Sequence, residues 1–328
     1  MLLVNIMAKS TNQVIELRCL LSIVVPVYRS AEILPLLIKQ IHEAMKEIGC
    51  DKNFELVLIC DGSPDNSWQV IQFLSDSHKF IKGILLRRNF GQHNAVMAGL
   101  RKCNGDVVVI MDDDLQHSPR YISKFLTVIN EGADVCYSRF NRMEQKKWKI
   151  IGSIFNGFMA NLLLDKPRNL YLSPFKAISK DICNLIIAYD GPYPYIDGLI
   201  LLYTDCIKVI DVEHNSRALG VGNYDFWRSL ALWAMMATGF SVKPLRLVIL
   251  FGIIISVLAF FLIIGIMLFK FFLGVNVEGW TSLFVIIMFL GGLQLLGLGV
   301  IGEYLGRSYL QINGKPQAVI KDTTENLK

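Results

Sequence analysis

Two uncharged apolar runs set the strongest limit on how this chain can fold. Residues 247–269 and 281–301 contain no Asp, Glu, Lys or Arg. As helices rising about 1.5 Å per residue, each reaches about 30 Å or more, the thickness of a bilayer's hydrocarbon core. The sequence therefore predicts a two-span membrane hairpin over residues 247–303. Lys243 and Arg246 precede the first run, and Arg307 and Lys315 follow the second. Only Lys270 carries positive charge in the short connection between them. Basic residues stay on the cytoplasmic side, so both ends and everything N-terminal are expected in the cytoplasm. The second run holds Gly291, Gly292, Gly297 and Gly299, with Gly302 and Gly306 just beyond. Small residues on a membrane helix allow close helix approach, so a homo-oligomer is expected. Glycine is also simply common in such helices.

The N-terminal two thirds read differently. Apolar runs at 20–27, 54–60, 81–86, 107–111 and 133–138 have strand length. Helical spacing or capping signals lie between them at 33–48, after 61–67, at 93–102 and at 119–130. Strand–helix alternation with short loops predicts an α/β domain with a mostly parallel sheet and helices on both faces. The net charge of +5 is too small to argue for nucleic acid, though a modest basic excess suits anionic lipid. Seven cysteines show no C-x-x-C spacing and lie mostly in apolar segments, as expected of reduced cytosolic thiols. Lys9, Glu16 and Arg18 interrupt any secretory h-region.

Two further segments have amphipathic helical spacing. One, about residues 146–164, begins with Lys146, Lys147, Trp148 and Lys149; the other, 225–240, carries Phe226, Trp227 and Trp233. A basic, Trp-bearing start is the pattern of a helix lying in a membrane interface. An ordinary core-packing helix reads the same way. The expected organisation is an N-terminal extension (1–19), an α/β domain (20–224), a juxtamembrane helix (225–246), the hairpin (247–303) and a cytoplasmic tail (304–328).

The chemistry gathers at the end of the fourth strand. Val107 to Met111 reads as a strand buried on both faces, and Asp112, Asp113, Asp114, Leu115 and Gln116 follow it. Ligands in open α/β sheets sit outside the carboxyl ends of strands. Three acids there repel one another unless a cation lies among them. Mg²⁺ or Mn²⁺ needs few protein oxygens when a substrate phosphate supplies the rest. The bland alternative is a solvated acidic turn. Asp61 and Asp65 follow the second strand at the same edge. Asp61 could accept from a base or ribose, whereas Asp65 fits a turn or cap better. His93 begins a helix nearby, more as a capping or surface histidine than a base. Lys176 and Arg217 are candidate phosphate partners, with solvated charge as the alternative.

These residues together resemble a known family. Val24-Val25-Pro26-Val27-Tyr28, Asp61-Gly62-Ser63-Pro64-Asp65-Asn66-Ser67, Arg88-Asn89-Phe90-Gly91-Gln92-His93-Asn94 and Asp112-Asp113-Asp114-Leu115-Gln116 resemble glycosyltransferase family 2, in particular its polyprenyl-phosphate members. Pro244-Leu245-Arg246 and Gly302-Glu303-Tyr304-Leu305-Gly306-Arg307 fit the same subset. The resemblance covers about residues 20–312. It implies a GT-A fold, a nucleotide-sugar donor and a polyprenyl (undecaprenyl) phosphate acceptor at a bacterial cytoplasmic membrane. It implies Mg²⁺ or Mn²⁺ held by Asp112, Asp114 and Gln116. Donor contacts are implied for Pro26, Tyr28, Asp61, Arg88, Asp113 and Lys176. Arg217 matches the Arg of a loop that closes over the phosphates, and a tetramer is the implied assembly.

Four departures from the family pattern stand out. Arg29-Ser30 replaces the usual Asn-Glu, and Cys60 replaces the first Asp of Asp-Asp-Gly-Ser. Gly222-Asn223 replaces Ser-Lys, and Leu170 replaces an Asp. Two other functions remain open. Asp197 could be the base of a membrane-anchored transferase acting on a sugar hydroxyl. The chain could instead be a non-catalytic membrane subunit that binds nucleotide-sugars.

Overall fold

A computed structural model of the chain describes residues 20–140, 170–213, 243–273 and 279–325. The two amphipathic segments and Arg217 lie outside the described residues.

Strands β1 (Leu21–Val27), β2 (Phe54–Cys60), β3 (Ile81–Leu86) and β4 (Val107–Ile110) alternate with helices α1 (Leu34–Glu47), α2 (Ser67–Ser77) and α3 (Gln92–Leu100). A short 3₁₀ turn, Pro119–Tyr121, leads into α4 (Ile122–Asn130), followed by β5 (Val135–Phe140) and β6 (Lys176–Ser179). Helices α5 (Lys180–Ile187) and α6 (Ile196–Tyr203) then precede β7 (Ile207–Val212). Two long helices follow, α7 (Lys243–Leu273) and α8 (Trp280–Ile312), and β8 (Ile320–Thr323) ends the series.

All eight strands form one sheet in the order β7-β5-β6-β4-β1-β2-β3-β8. The sheet is mixed. Strands β1 to β4 run parallel, while β6 is antiparallel to β4 and β5, and β8 is antiparallel to β3. Alternate residues of each strand feed opposite cores, as a period of two requires. Ile23, Val25, Leu56, Leu58 and Val109 pack with α1, α2 and α4. Val24, Val57, Ile59, Val108 and Ile110 pack with α3, α5 and α6. Strands buried on both sides are why these segments read as mostly apolar runs, with only Ser22 and Glu55 as polar members of β1 and β2.

The strand order reverses between β1 and β4, which makes a crevice at their carboxyl ends. Pro26 sits at its mouth. Even-numbered β1 residues turn their backbone groups toward β4, since the Met111 amide donates to the Val24 carbonyl. The β1–β4 ladder stops at Val24, so a proline at 26 removes no ladder bond.

Helices α7 and α8 carry the two apolar runs. Each is long and apolar enough to cross a membrane, with windows of mean hydropathy 2.8 and 1.8. Leu250, Phe251, Phe261, Leu295 and Leu298 are each more than half exposed. An apolar helix left uncovered in water is not viable at this scale, so these faces need lipid or another membrane helix.

Candidate active site

The crevice between β1 and β4 gathers loops from four strands. After β4 the three acids diverge. Asp113 turns inward: it accepts a hydrogen bond from Ser30 Oγ at 2.5 Å and from the Tyr28 amide at 3.2 Å. It thereby bridges the crevice and ties the β4 tip to the β1 tip. Burial raises its carboxyl above the usual range and the adjacent Asp114 adds to that, against the hydrogen bonds from Ser30 and Tyr28. Ser30, one of the departures from the family pattern, is thus the direct partner of Asp113.

Asp112 and Asp114 remain half-buried at the opening. Gln92 Nε2 donates to Asp112 Oδ1 at 2.7 Å, and Asp114 Oδ1 accepts from the Gln116 amide at 3.1 Å. Leu115, between them, has φ of 60°, a left-handed conformation that costs a branched residue energy. Such strain persists only where the surroundings enforce it, and it concentrates at functional turns. Among the described residues no three His, Cys, Asp or Glu side chains converge as a metal cage. Residues 112, 114 and 116 of this loop carry two carboxylates and a carboxamide. That suits a hard cation whose remaining ligands come from a phosphate-bearing substrate.

Asp61 occupies the β2 tip and is only 4% exposed. Its two oxygens accept from the Phe90 and Gly91 amides at 2.7 and 2.9 Å. Burial raises this carboxyl despite those bonds. The loop after β3 is thereby pinned to the loop after β2. The contact is so close that a Cβ on Gly62, at φ +56°, would lie 2.3 Å from the Arg88 carbonyl carbon. Arg88 lies 4.8 Å over the Phe90 ring and is exposed at the rim. Tyr28 offers an exposed ring on the β1 side, with Arg29 5.4 Å from its centroid. Asp65 is a turn residue: it accepts from Ser63, Ser67 and the Ala31 amide. Cys60 faces the core, and burial pushes its thiol up.

The far wall contains a buried polar cluster. Lys176 opens β6 opposite Ile110, two residues before Asp112. Lys176 is 3% exposed, and its ammonium pairs with Asp197, in the first turn of α6 and 8% exposed. Tyr137 Oη donates to the same Asp197 oxygen at 2.7 Å. Lys176 is therefore turned to Asp197, not held open to a donor phosphate. His93 stacks edge-on against Tyr195 at 5.0 Å. Burial, then the Lys176 charge, lowers its imidazole to about 4 against the pull of Asp197, so it is neutral at pH 7. His93 is thus part of a packed wall, which its place at a helix start did not reveal.

The sequence profile for Glycosyl transferase family 2 matches residues 22–186, about half of the chain. An undecaprenyl-phosphate 4-deoxy-4-formamido-L-arabinose transferase of Pectobacterium carotovorum is 32% identical over 92% of this chain and 93% of its own length. This chain is a family 2 glycosyltransferase. A protein of the same name from Photorhabdus laumondii is 31% identical over 93% of this glycosyltransferase and 95% of its own length. Among solved structures, glucosyl-3-phosphoglycerate synthase from Mycobacterium tuberculosis shares the fold of this glycosyltransferase. Its TM-score is 0.51 at 16% identity, over 67% of this chain and 79% of that one. The α/β architecture expected from the strand pattern is the GT-A-like fold of these enzymes.

Proposed function

We propose that the chain moves a sugar from a nucleotide-sugar to a polyprenyl phosphate, of the undecaprenyl type, at the cytoplasmic face of a bacterial inner membrane. The observation that carries the choice of acceptor is the commitment of Asp197. A sugar hydroxyl needs a base to take its proton. The carboxylate best placed for that in the sequence is closed off by an ammonium and a phenol. A phosphate oxygen is already ionised near neutral pH and needs orientation instead. The names of the relatives, which span nearly the whole chain, agree with this acceptor.

In this reading the donor lies in the crevice between β1 and β4, with Pro26, Tyr28, Asp61 and Arg88 along its nucleoside side. Asp112, Asp114 and Gln116 would hold Mg²⁺ or Mn²⁺, which when bound would supply positive charge to offset that on the departing nucleoside diphosphate. Gln92 orients Asp112, while Asp113 and Asp61 hold the four loops in register. Arg217 meets the phosphates. The acceptor phosphate attacks from the side opposite the leaving group, which inverts the anomeric centre. Among the described residues nothing lies within 4 Å of where a side chain on Gly292 or Gly299 would begin, and that face of α8 suits another copy in a homo-oligomer such as a tetramer.

The test is direct. Membranes containing the protein are incubated with a panel of nucleotide-sugars and undecaprenyl phosphate, and lipids are read by mass. A lipid-linked sugar supports the reading. Donor hydrolysis or transfer to a sugar acceptor, with no glycolipid, overturns it.

A further inference from the structure

The tail that follows the second membrane helix returns to the catalytic sheet and touches two of its loops. Helix α8 has 33 residues. That length is about 50 Å, against a hydrocarbon core of about 30 Å, so a stiff stalk projects from the bilayer. Arg307 on this stalk lies 5.5 Å over the Tyr193 ring. The helix then stops in a Schellman turn. The Lys315 amide bonds the Leu310 carbonyl and the Gly314 amide bonds that of Gln311, with Gly314 at φ +61°. This turn aims the tail back at the domain.

Three attachments follow in order. Lys315 Nζ donates to Tyr193 Oη at 3.0 Å. Gln317, 5% exposed, donates through Nε2 to the carbonyls of Tyr189 and Gly191 at 2.8 and 2.7 Å. The Val319 carbonyl accepts from the Arg87 amide at 2.9 Å, and β8 then pairs with β3. The Tyr189–Tyr193 loop leads directly into α6, which bears Asp197. Arg87 leads directly into the loop that Asp61 pins. One peptide thus grips the entry to α6 and the exit of β3, and its upstream end is a long membrane helix.

We propose that residues 313–324 and Tyr193 form a strap that fixes the height of the catalytic edge above the bilayer, with Gln317 as its positioning residue. A lipid acceptor presents its phosphate at a depth set by the membrane. The protein must hold its reactive edge at a matching depth, and a flexible linker cannot do so. A free acceptor in water imposes no such demand. The inference rests on the lipid-phosphate reading above.

The experiment compares the full-length wild type with Gln317→Ala on two acceptors: a long-chain polyprenyl phosphate in vesicles, and a short-chain, water-soluble prenyl phosphate. The expected result is a loss on the order of tenfold or more with the vesicle acceptor and a change within about twofold with the soluble one, because small misplacements cost orders of magnitude in rate. Equal losses on both acceptors, or none on either, overturn the strap. A second measurement does not depend on turnover. A dye on the exposed Cys206 reports its distance to dye-labelled lipid headgroups by energy transfer, in a Cys19→Ser, Cys103→Ser background. The distance should shift or broaden in Gln317→Ala; an unchanged distance overturns the strap. A wild type that glycosylates neither acceptor defeats the lipid-phosphate reading, while energy transfer still decides the strap.

Discussion

Lys176 and Tyr137 converge on one oxygen of Asp197, and the three side chains come from β6, β5 and α6. The convergence closes the wall behind the β4 tip. It also gives the clearest experimental separation between a phosphate and a hydroxyl acceptor.

Asp197→Asn should leave much of the transfer rate at permissive temperature if the acceptor is a phosphate. It should also destabilise the protein, by about 3 kcal/mol, because it strands a buried ammonium. Adding Lys176→Met should recover most of that loss. Arg217→Ala should cost on the order of a hundredfold in rate, as loss of a preorganised charge does. Rates and thermal midpoints of the three variants make the check. An Asp197→Asn protein that is folded, binds donor and is inactive would move the assignment to the hydroxyl acceptor.

Asp114→Asn should abolish turnover, and so should chelation of divalent ions from the wild type. Asp113→Asn should act differently, since Asp113 ties β4 to β1 through Ser30 and the Tyr28 amide. Its main cost should fall on donor affinity and stability. Full activity of Asp114→Asn in excess chelator would remove the metal role.

His93 should make stability fall with acidification. Its folded value, about 4, lies below the ordinary 6.5. Between those values the unfolded chain binds a proton that the folded chain does not. Stability therefore rises with pH across that window, by at most about 1.4 kcal/mol per unit from this group. Replacing His93 with Gln should flatten this part of the profile, read by thermal unfolding at successive pH values. An unchanged slope would show that other groups carry it.

Membrane topology can be read by cysteine labelling from outside intact cells. A probe at Asn276, between the two helices, should react. One at Phe73, 70% exposed on α2, should not. The reverse pattern would place the donor site on the wrong face.

Gly292→Leu with Gly299→Leu should weaken self-association, since among the described residues nothing covers either position on α8. Mass measurement in detergent decides it, and a strictly monomeric wild type defeats the proposal.

Much of the fold was readable because β1, β2 and β4 are buried along their whole length and β3 over most of its own. Burial on both faces leaves mostly apolar runs whose ends coincide with the strands. The antiparallel members were harder. Strand β6 is four residues long and opens with a lysine that only a distant carboxylate makes tolerable. Strand β8, Ile-Lys-Asp-Thr, sits on the sheet's outer edge, where little apolar content is needed. Its approach was marked all the same, by Asn313-Gly314 and Pro316, an ordinary helix stop. At the site, Asp112 to Asp114 stood out because the motif is contiguous. The partners of Asp61 and Asp197 are side-chain and amide contacts across 21 to 60 positions, which local patterning does not encode.

Strand β8 also sets the order in which the protein can be completed. Gly83 and Thr324 hydrogen-bond across 241 residues, and both membrane helices lie between them in the chain. During synthesis β3 therefore emerges early and waits without its outer neighbour until both apolar helices have been made. An unpaired β3 is a sticky edge, prone to pairing with other chains. Completion of the catalytic sheet thus comes last in synthesis: its outer edge is sealed only by a strand made after both apolar helices.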